Sequence, residues 1–107
     1  MLSLTELQRE LLIWQLYNFP DRNKWEPIMG VSEEIGELAH AFLKRHQRIR
    51  GTAEKHSADM QDAIGDIIVY LADVCNAEGF SLQNCLDLAW TEVQQRDWAK
   101  YREEAGG

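Results

Sequence analysis

Apolar residues recur at helical intervals along almost the whole chain. Leu4, Leu7, Leu11 and Trp14 follow at steps of three and four, forming one helical stripe behind a Ser3–Glu6 capping-box pattern. Leu12, Ile13 and Leu16 widen that surface. A helix apolar on more than one side contacts more than one neighbour, and the extra side here can meet a second subunit. The helix is expected to end before Asn18-Phe19-Pro20-Asp21, because Pro20 removes a donor and disfavours helical geometry at Phe19. Residues 19–26 read as a loop. Pro27 suits the first turn of a second helix reaching about Arg48. Ser57 is the expected N-cap of a third helix, which ends near Glu78 with Gly79 just beyond. Ser81 caps a fourth, from about Leu82 to Arg102, with Leu82, Leu86, Ala89 and Val93 as its core stripe. Residues 103–107 are expected to fray. No strand-like alternation competes. The pattern predicts one all-α domain over residues 1–107, an antiparallel four-helix arrangement like a bundle.

The polar positions are as ordered as the apolar ones. In the second helix Glu33, Glu34 and Glu37 share one arc, while Ile28, Val31, Ile35, Leu38 and Phe42 occupy another. Carboxylates this close repel by a few tenths of a kcal/mol per pair. Two readings stand: the arc holds a cation, or it is a solvated acidic face. In the third helix Met60, Ile64, Ile67, Leu71, Val74 and Cys75 form the apolar face. Asp59, Asp62, Asp66 and Asp73 fall on the other side, within about 60° of each other. Gly65 stands beside Asp66, where a mid-helix glycine suits close approach of a backbone or a ligand.

Composition narrows the function. The chain has 107 residues, 45% of them apolar, which is enough for one modest core. Its net charge of −7 argues against a duplex nucleic-acid partner and fits a protein that binds divalent cations. The longest apolar run, Ile67 to Ala72, is far short of a membrane span, and no apolar N-terminal signal is evident. A cytoplasmic location is the simplest. Cys75 and Cys85 lack zinc-type spacing and read as small buried thiols of a reducing compartment. Lys44, Arg45, Arg48, Arg50 and Lys55 cluster after the second helix. They either complement its dipole or cradle phosphates. His40, His46 and His56 lie in or near this basic region and read as solvated.

The second and third helices are joined by a short loop and should be antiparallel neighbours. Facing their acidic sides together without a cation would bury several charges at prohibitive cost. An all-oxygen site selects hard ions, so Mg²⁺ is expected, with Mn²⁺ as an alternative. Such an ion can polarise a phosphoryl oxygen. No glycine-rich phosphate loop and no acyl-transfer arrangement of Ser or Cys with His is present.

Glu33-Glu34-Ile35-Gly36-Glu37-Leu38-Ala39 resembles the EExxE motif of the MazG-like, all-α nucleoside triphosphate pyrophosphohydrolases. Asp62-Ala63-Ile64-Gly65-Asp66-Ile67 resembles their second acidic motif. Glu92-Val93, followed by Arg96-Asp97-Trp98, looks like the closing segment of the short members. The resemblance runs from about Leu7 to Tyr101. It implies Mg²⁺-dependent hydrolysis of a (d)NTP to the monophosphate and pyrophosphate, clearing non-standard nucleotides. Glu34, Glu37 and Asp66 would be metal ligands by this resemblance, and Glu33 would be a ligand or position the attacking water. Arg96, Lys44 and Arg45 would meet phosphates. It also implies a homo-oligomer, dimer or tetramer.

One position departs from the pattern. The family's second motif is usually ExxD, which would put a glutamate at position 63. Ala63 stands there, and the acid is Asp62, one residue earlier. Asp62 is taken as a metal ligand in its place, because it shares a helix face with Asp66 and Ala63 offers no oxygen. A non-catalytic helical module that binds metal, nucleotide or a partner protein is the rival reading. A phosphoribosyl-ATP pyrophosphatase, from the same structural group, is a further enzymatic alternative. Trp14, Asn18 and Trp25 could approach a base, although packing explains both tryptophans as well.

Overall fold

A computed structural model of the chain describes residues 1–100 and residue 102. Four helices follow in order: α1 Leu4–Asn18, α2 Glu26–Gln47, α3 Ala53–Glu78 and α4 Leu82–Val93. Among the described residues there is no strand. Tyr101 and the 103–107 segment lie outside the described residues.

The cap residues explain most of the boundaries. Ser3 and Glu6 form the expected capping box, with the Ser3 hydroxyl accepting from the Glu6 N–H at 3.1 Å. Gly79 closes α3 at φ 74, and the Ser81 hydroxyl opens α4 by accepting from Asn84 N–H at 3.2 Å. Two boundaries differ from expectation. Thr52, not Ser57, caps α3, accepting from Lys55 N–H at 3.1 Å. Ser57 lies inside the helix, and its hydroxyl receives Arg45 Nη1 at 3.1 Å instead. α4 ends at Val93 rather than near Arg102. Residues 94 and 95 turn, and Asp97 caps a new helical stretch by accepting from Lys100 N–H at 3.1 Å. A short polar side chain that caps in this way competes with continuation of the helix.

α2 and α3 form an antiparallel hairpin with a narrow seam. Pro27, Gly30 and Ala41 from α2 are buried, and so is Ala63 from α3. Close approach occurs at Gly30, where a Cβ would stand 2.3 Å from Cε1 of Tyr70. Gly65, the expected approach point, faces open space.

α1 crosses the C-terminal half of α3, burying Leu11 and Gln15. Gln8 ties three elements together. Its carbonyl accepts from Asn76 Nδ2 at 3.0 Å, its Nε2 donates to Phe80 O at 2.6 Å, and its Oε1 accepts from Leu82 N–H at 2.9 Å. α4 has no buried residue, so its expected core stripe is not a core within one chain: Leu86 is 50% and Val93 42% exposed. Cys75 is buried as expected, but Cys85 is exposed, and both are free thiols. Among the described residues no helix is long and apolar enough to cross a membrane.

Candidate metal centre

The antiparallel hairpin brings both acidic arcs to one flank of its seam. Glu34 and Asp66 are half-buried there, while Glu33, Glu37 and Asp62 are exposed beside them. The five expected carboxylates therefore gather in one neighbourhood. Their proximity shows in their ionisation. Burial, the contact with Glu37, and the charges of Glu37, Asp66 and Glu33 together push the Glu34 carboxyl up to about 7. Asp66 is also raised, first by burial and then by the charges of Asp62 and Glu37. Tyr70 lies under the same field. Burial raises its phenol, and the charges of Glu33, Glu34, Asp66 and Asp73 add to the effect.

Glu34 Oε2 is buried without a hydrogen-bond partner. An orphaned carboxylate oxygen among like charges is a costly arrangement that a hard cation would relieve. The donor set, oxygen throughout, fits Mg²⁺ or Mn²⁺. Among the described residues, no three His, Cys, Asp or Glu side chains converge closely enough to hold an ion as they stand.

Two cavities border this acidic flank. Glu34 and Asp66 line one of about 520 Å³, whose walls include Trp14, Phe19, Val69 and Tyr70. The Trp14 and Phe19 rings meet edge to face with centroids 5.7 Å apart. Arg22 closes this cavity by pairing with both oxygens of buried Asp73, while its Nη2 donates to Gln15 Oε1 at 3.0 Å. Glu33, Glu37 and Asp62 line the other cavity, of about 500 Å³, together with His40, Lys44, Arg50 and Lys55. Lys55 also pairs with Asp59 at 3.1 Å.

The expected cations are divided. Lys44 lines the charged cavity, but Arg45 and Arg96 line neither cavity. Arg45 bonds Ser57 and lies 5.7 Å over the Phe42 ring. Arg96 pairs with Glu92 on α4 at 3.3 Å. Of the three aromatic and amide candidates for a base, only Trp14 lines a cavity. His56 is buried rather than solvated, with Nε2 2.9 Å from Ile49 O, and so holds the loop that carries Arg50.

Asp73 is likewise not a solvated acid, because Arg22 covers it. Arg22 sits in a loop without periodicity, so nothing in the sequence links it to a helix 51 residues away. Comparison with protein families, with characterised proteins and with solved structures finds no match to this chain.

Proposed function

We propose that the protein is a metal-dependent nucleoside triphosphate pyrophosphohydrolase, releasing monophosphate and pyrophosphate. The observation that carries the reading is that the carboxylates line two cavities, one walled by aromatic rings and one where they face Lys44, Arg50 and Lys55. A nucleotide has the same polarity: a flat ring at one end and a polyanion at the other. The two acidic motifs, with their resemblance to the MazG-like enzymes, supply the reaction type.

Glu34, Glu37 and Asp66 would hold Mg²⁺, with Asp62 beside them at the charged cavity. The ion, when bound, supplies Lewis-acid polarisation of a phosphoryl oxygen. Trp14 and Phe19 offer aromatic surface to a base. Lys44, Arg50 and Lys55 offer charge to the terminal phosphates and to the departing pyrophosphate. Glu33, exposed and lining the charged cavity, would orient water and accept its proton.

A panel of NTPs and dNTPs with Mg²⁺, scored by product identity, tests this. Monophosphate and pyrophosphate are expected from at least one nucleotide, and EDTA should stop their formation. Diphosphate and orthophosphate as the only products would rule the reaction out. Nucleotide binding without turnover across the panel would instead establish the non-catalytic module.

A further inference from the structure

The aromatic-walled cavity has two ends. Asp66 and Asp73 of α3 both line it, seven residues apart, or about 10 Å along the helix. The Asp66 end holds the carboxylates assigned to the ion, since Glu34 lies within the field of Asp66. The Asp73 end holds Arg22 and Gln15. Trp14, Phe19 and Val69 wall the cavity. Its length is comparable to the span of a nucleotide from the α-phosphate to the edge of the base.

At the Asp73 end the sense of the hydrogen bonds is fixed. Gln15 is only 7% exposed, and it lines the cavity. Its Oε1 accepts from Arg22 Nη2 at 3.0 Å. A guanidinium has no acceptor, so the amide cannot be turned round: the atom that meets Arg22 must be the oxygen. The free end of the amide is therefore Nε2, a donor of two hydrogens, and among the described residues it donates to nothing. Asp73 is buried, and Arg22 occupies both of its oxygens. What this end offers a ligand is N–H. Glu26 and Tyr70 line the cavity too. Glu26 is exposed and keeps its carboxylate in water. The Tyr70 hydroxyl can give or take a hydrogen bond, so it does not select.

We propose that this end reads the base, and that Gln15 selects bases presenting a carbonyl oxygen, with Arg22 as its positioning residue. The inference rests on the nucleotide reading of the site and adds the class of base to it. A carbonyl accepts from the Gln15 amide. The exocyclic amine of adenine instead sets N–H against N–H and leaves a buried donor unmet, at the cost of its desolvation. A site built to hydrogen-bond one group rejects the analogue lacking it far more strongly than an apolar pocket rejects a missing methylene. Hypoxanthine and adenine share the same two rings, and the first carries a carbonyl where the second carries an amine. They are the sharpest pair for this site. Uracil and cytosine differ in the same way but share a second carbonyl, so they are told apart less well.

Titration calorimetry of the full chain with Mg²⁺ tests it, using the α,β-methylene analogues of inosine and adenosine triphosphate, which resist cleavage between those phosphates. The inosine analogue should bind at least about tenfold more tightly. Gln15→Glu keeps an oxygen for Arg22 and turns the free NH₂ into an acceptor, so the ratio should fall to about one or invert. Arg22→Lys keeps a cation beside Asp73 but loses the fork that holds the amide, so the ratio should fall there too. Loss of packing alone would weaken both analogues alike and leave the ratio unchanged. Equal binding by the wild type, tighter binding of the adenosine analogue, or no binding of either would overturn the proposal. An unchanged ratio in a folded Gln15→Glu would do the same, and in Arg22→Lys it would overturn the positioning role. If circular dichroism shows Gln15→Glu unfolded, the wild-type ratio and Arg22→Lys decide. Products from inosine triphosphate itself score the reaction separately. The binding ratio without pyrophosphate release would keep the base site and remove the pyrophosphohydrolase; pyrophosphate release with equal binding would do the reverse.

Discussion

The two flanks of the α2–α3 hairpin are made from the same helices and have opposite needs. One collects Glu33, Glu34, Glu37, Asp62 and Asp66, and the charges that act on Glu34 there are those of Glu37, Asp66 and Glu33. The other collects Ile28, Ile35 and Phe42 of α2 with Ile64, Ile68 and Leu71 of α3, each more than a third exposed. The seam between them is complete, closed by small residues and by the Gly30–Tyr70 contact. The hairpin therefore folds on its seam and leaves an acidic flank on one side and an apolar flank on the other.

The sharpest way to break this comparison is to remove charge from the acidic flank. Glu37→Gln keeps the shape of the side chain but takes away a charge next to Glu34. Magnesium-dependent pyrophosphate release should fall at least about a thousandfold, or ~4 kcal/mol of transition-state stabilisation. An unaltered rate would detach the acidic flank from the chemistry.

Asp73 provides the contrast within α3. Its charge is met by Arg22, whereas Glu34 Oε2 is buried with no hydrogen-bond partner among the described residues. Arg22→Met should therefore cost about 3 kcal/mol of stability by leaving a buried carboxylate unpaired. Urea unfolding, monitored by helix content, measures it. A loss below 1 kcal/mol would mean that Asp73 reaches water without its partner.

A smaller effect distinguishes the two aspartates of the second motif. Asp62 is exposed at the charged cavity, Asp66 is half-buried at the aromatic one, and the charge of Asp62 raises Asp66. Ala63, where the family pattern has a glutamate, is 2% exposed in the seam and contributes no oxygen. Asp62→Asn should lower magnesium-dependent turnover about tenfold, or ~1.4 kcal/mol, with the fold intact. Wild-type rates and metal affinity would leave the cation to the glutamate helix and Asp66.

What the sequence made legible was periodic. Four helices, the Ser3, Gly79 and Ser81 caps, the shared acidic arc and the broad apolar side of α1 all follow from spacing. What it hid depends on contacts distant along the chain. Nothing local marks Gln8 as the tie between α1 and the α3–α4 turn, or His56 as the brace of the Arg50 loop. The family resemblance makes Arg45 and Arg96 phosphate contacts, yet each turns to a neighbour away from the two cavities. Where two signals competed, the local geometry decided. Thr52 took the cap expected of Ser57, and Asp97 opened a new turn instead of extending α4.

The smallest predicted effect is thermal, and it asks whether a proton can stand in for the cation. The Glu34 carboxyl, ordinarily near 4.5, is raised to about 7 in the fold. Between those values the folded chain binds more protons than the unfolded one, so stability must fall as pH rises. The contribution is complete below about 4.5 and is lost as pH climbs through about 7. Asp66, also raised, acts in the same direction. In EDTA the melting temperature should therefore decline between pH 5 and pH 8. Glu34→Gln, neutral throughout, should make that decline shallower. Magnesium binds the carboxylate that the proton leaves, so it should add most stability at the alkaline end and flatten the wild-type profile. Scanning calorimetry of both proteins, with EDTA and with Mg²⁺, provides the comparison. Parallel wild-type and Glu34→Gln profiles in EDTA would show that the Glu34 charge is already satisfied in the folded chain. The acidic flank would then have no need of an ion.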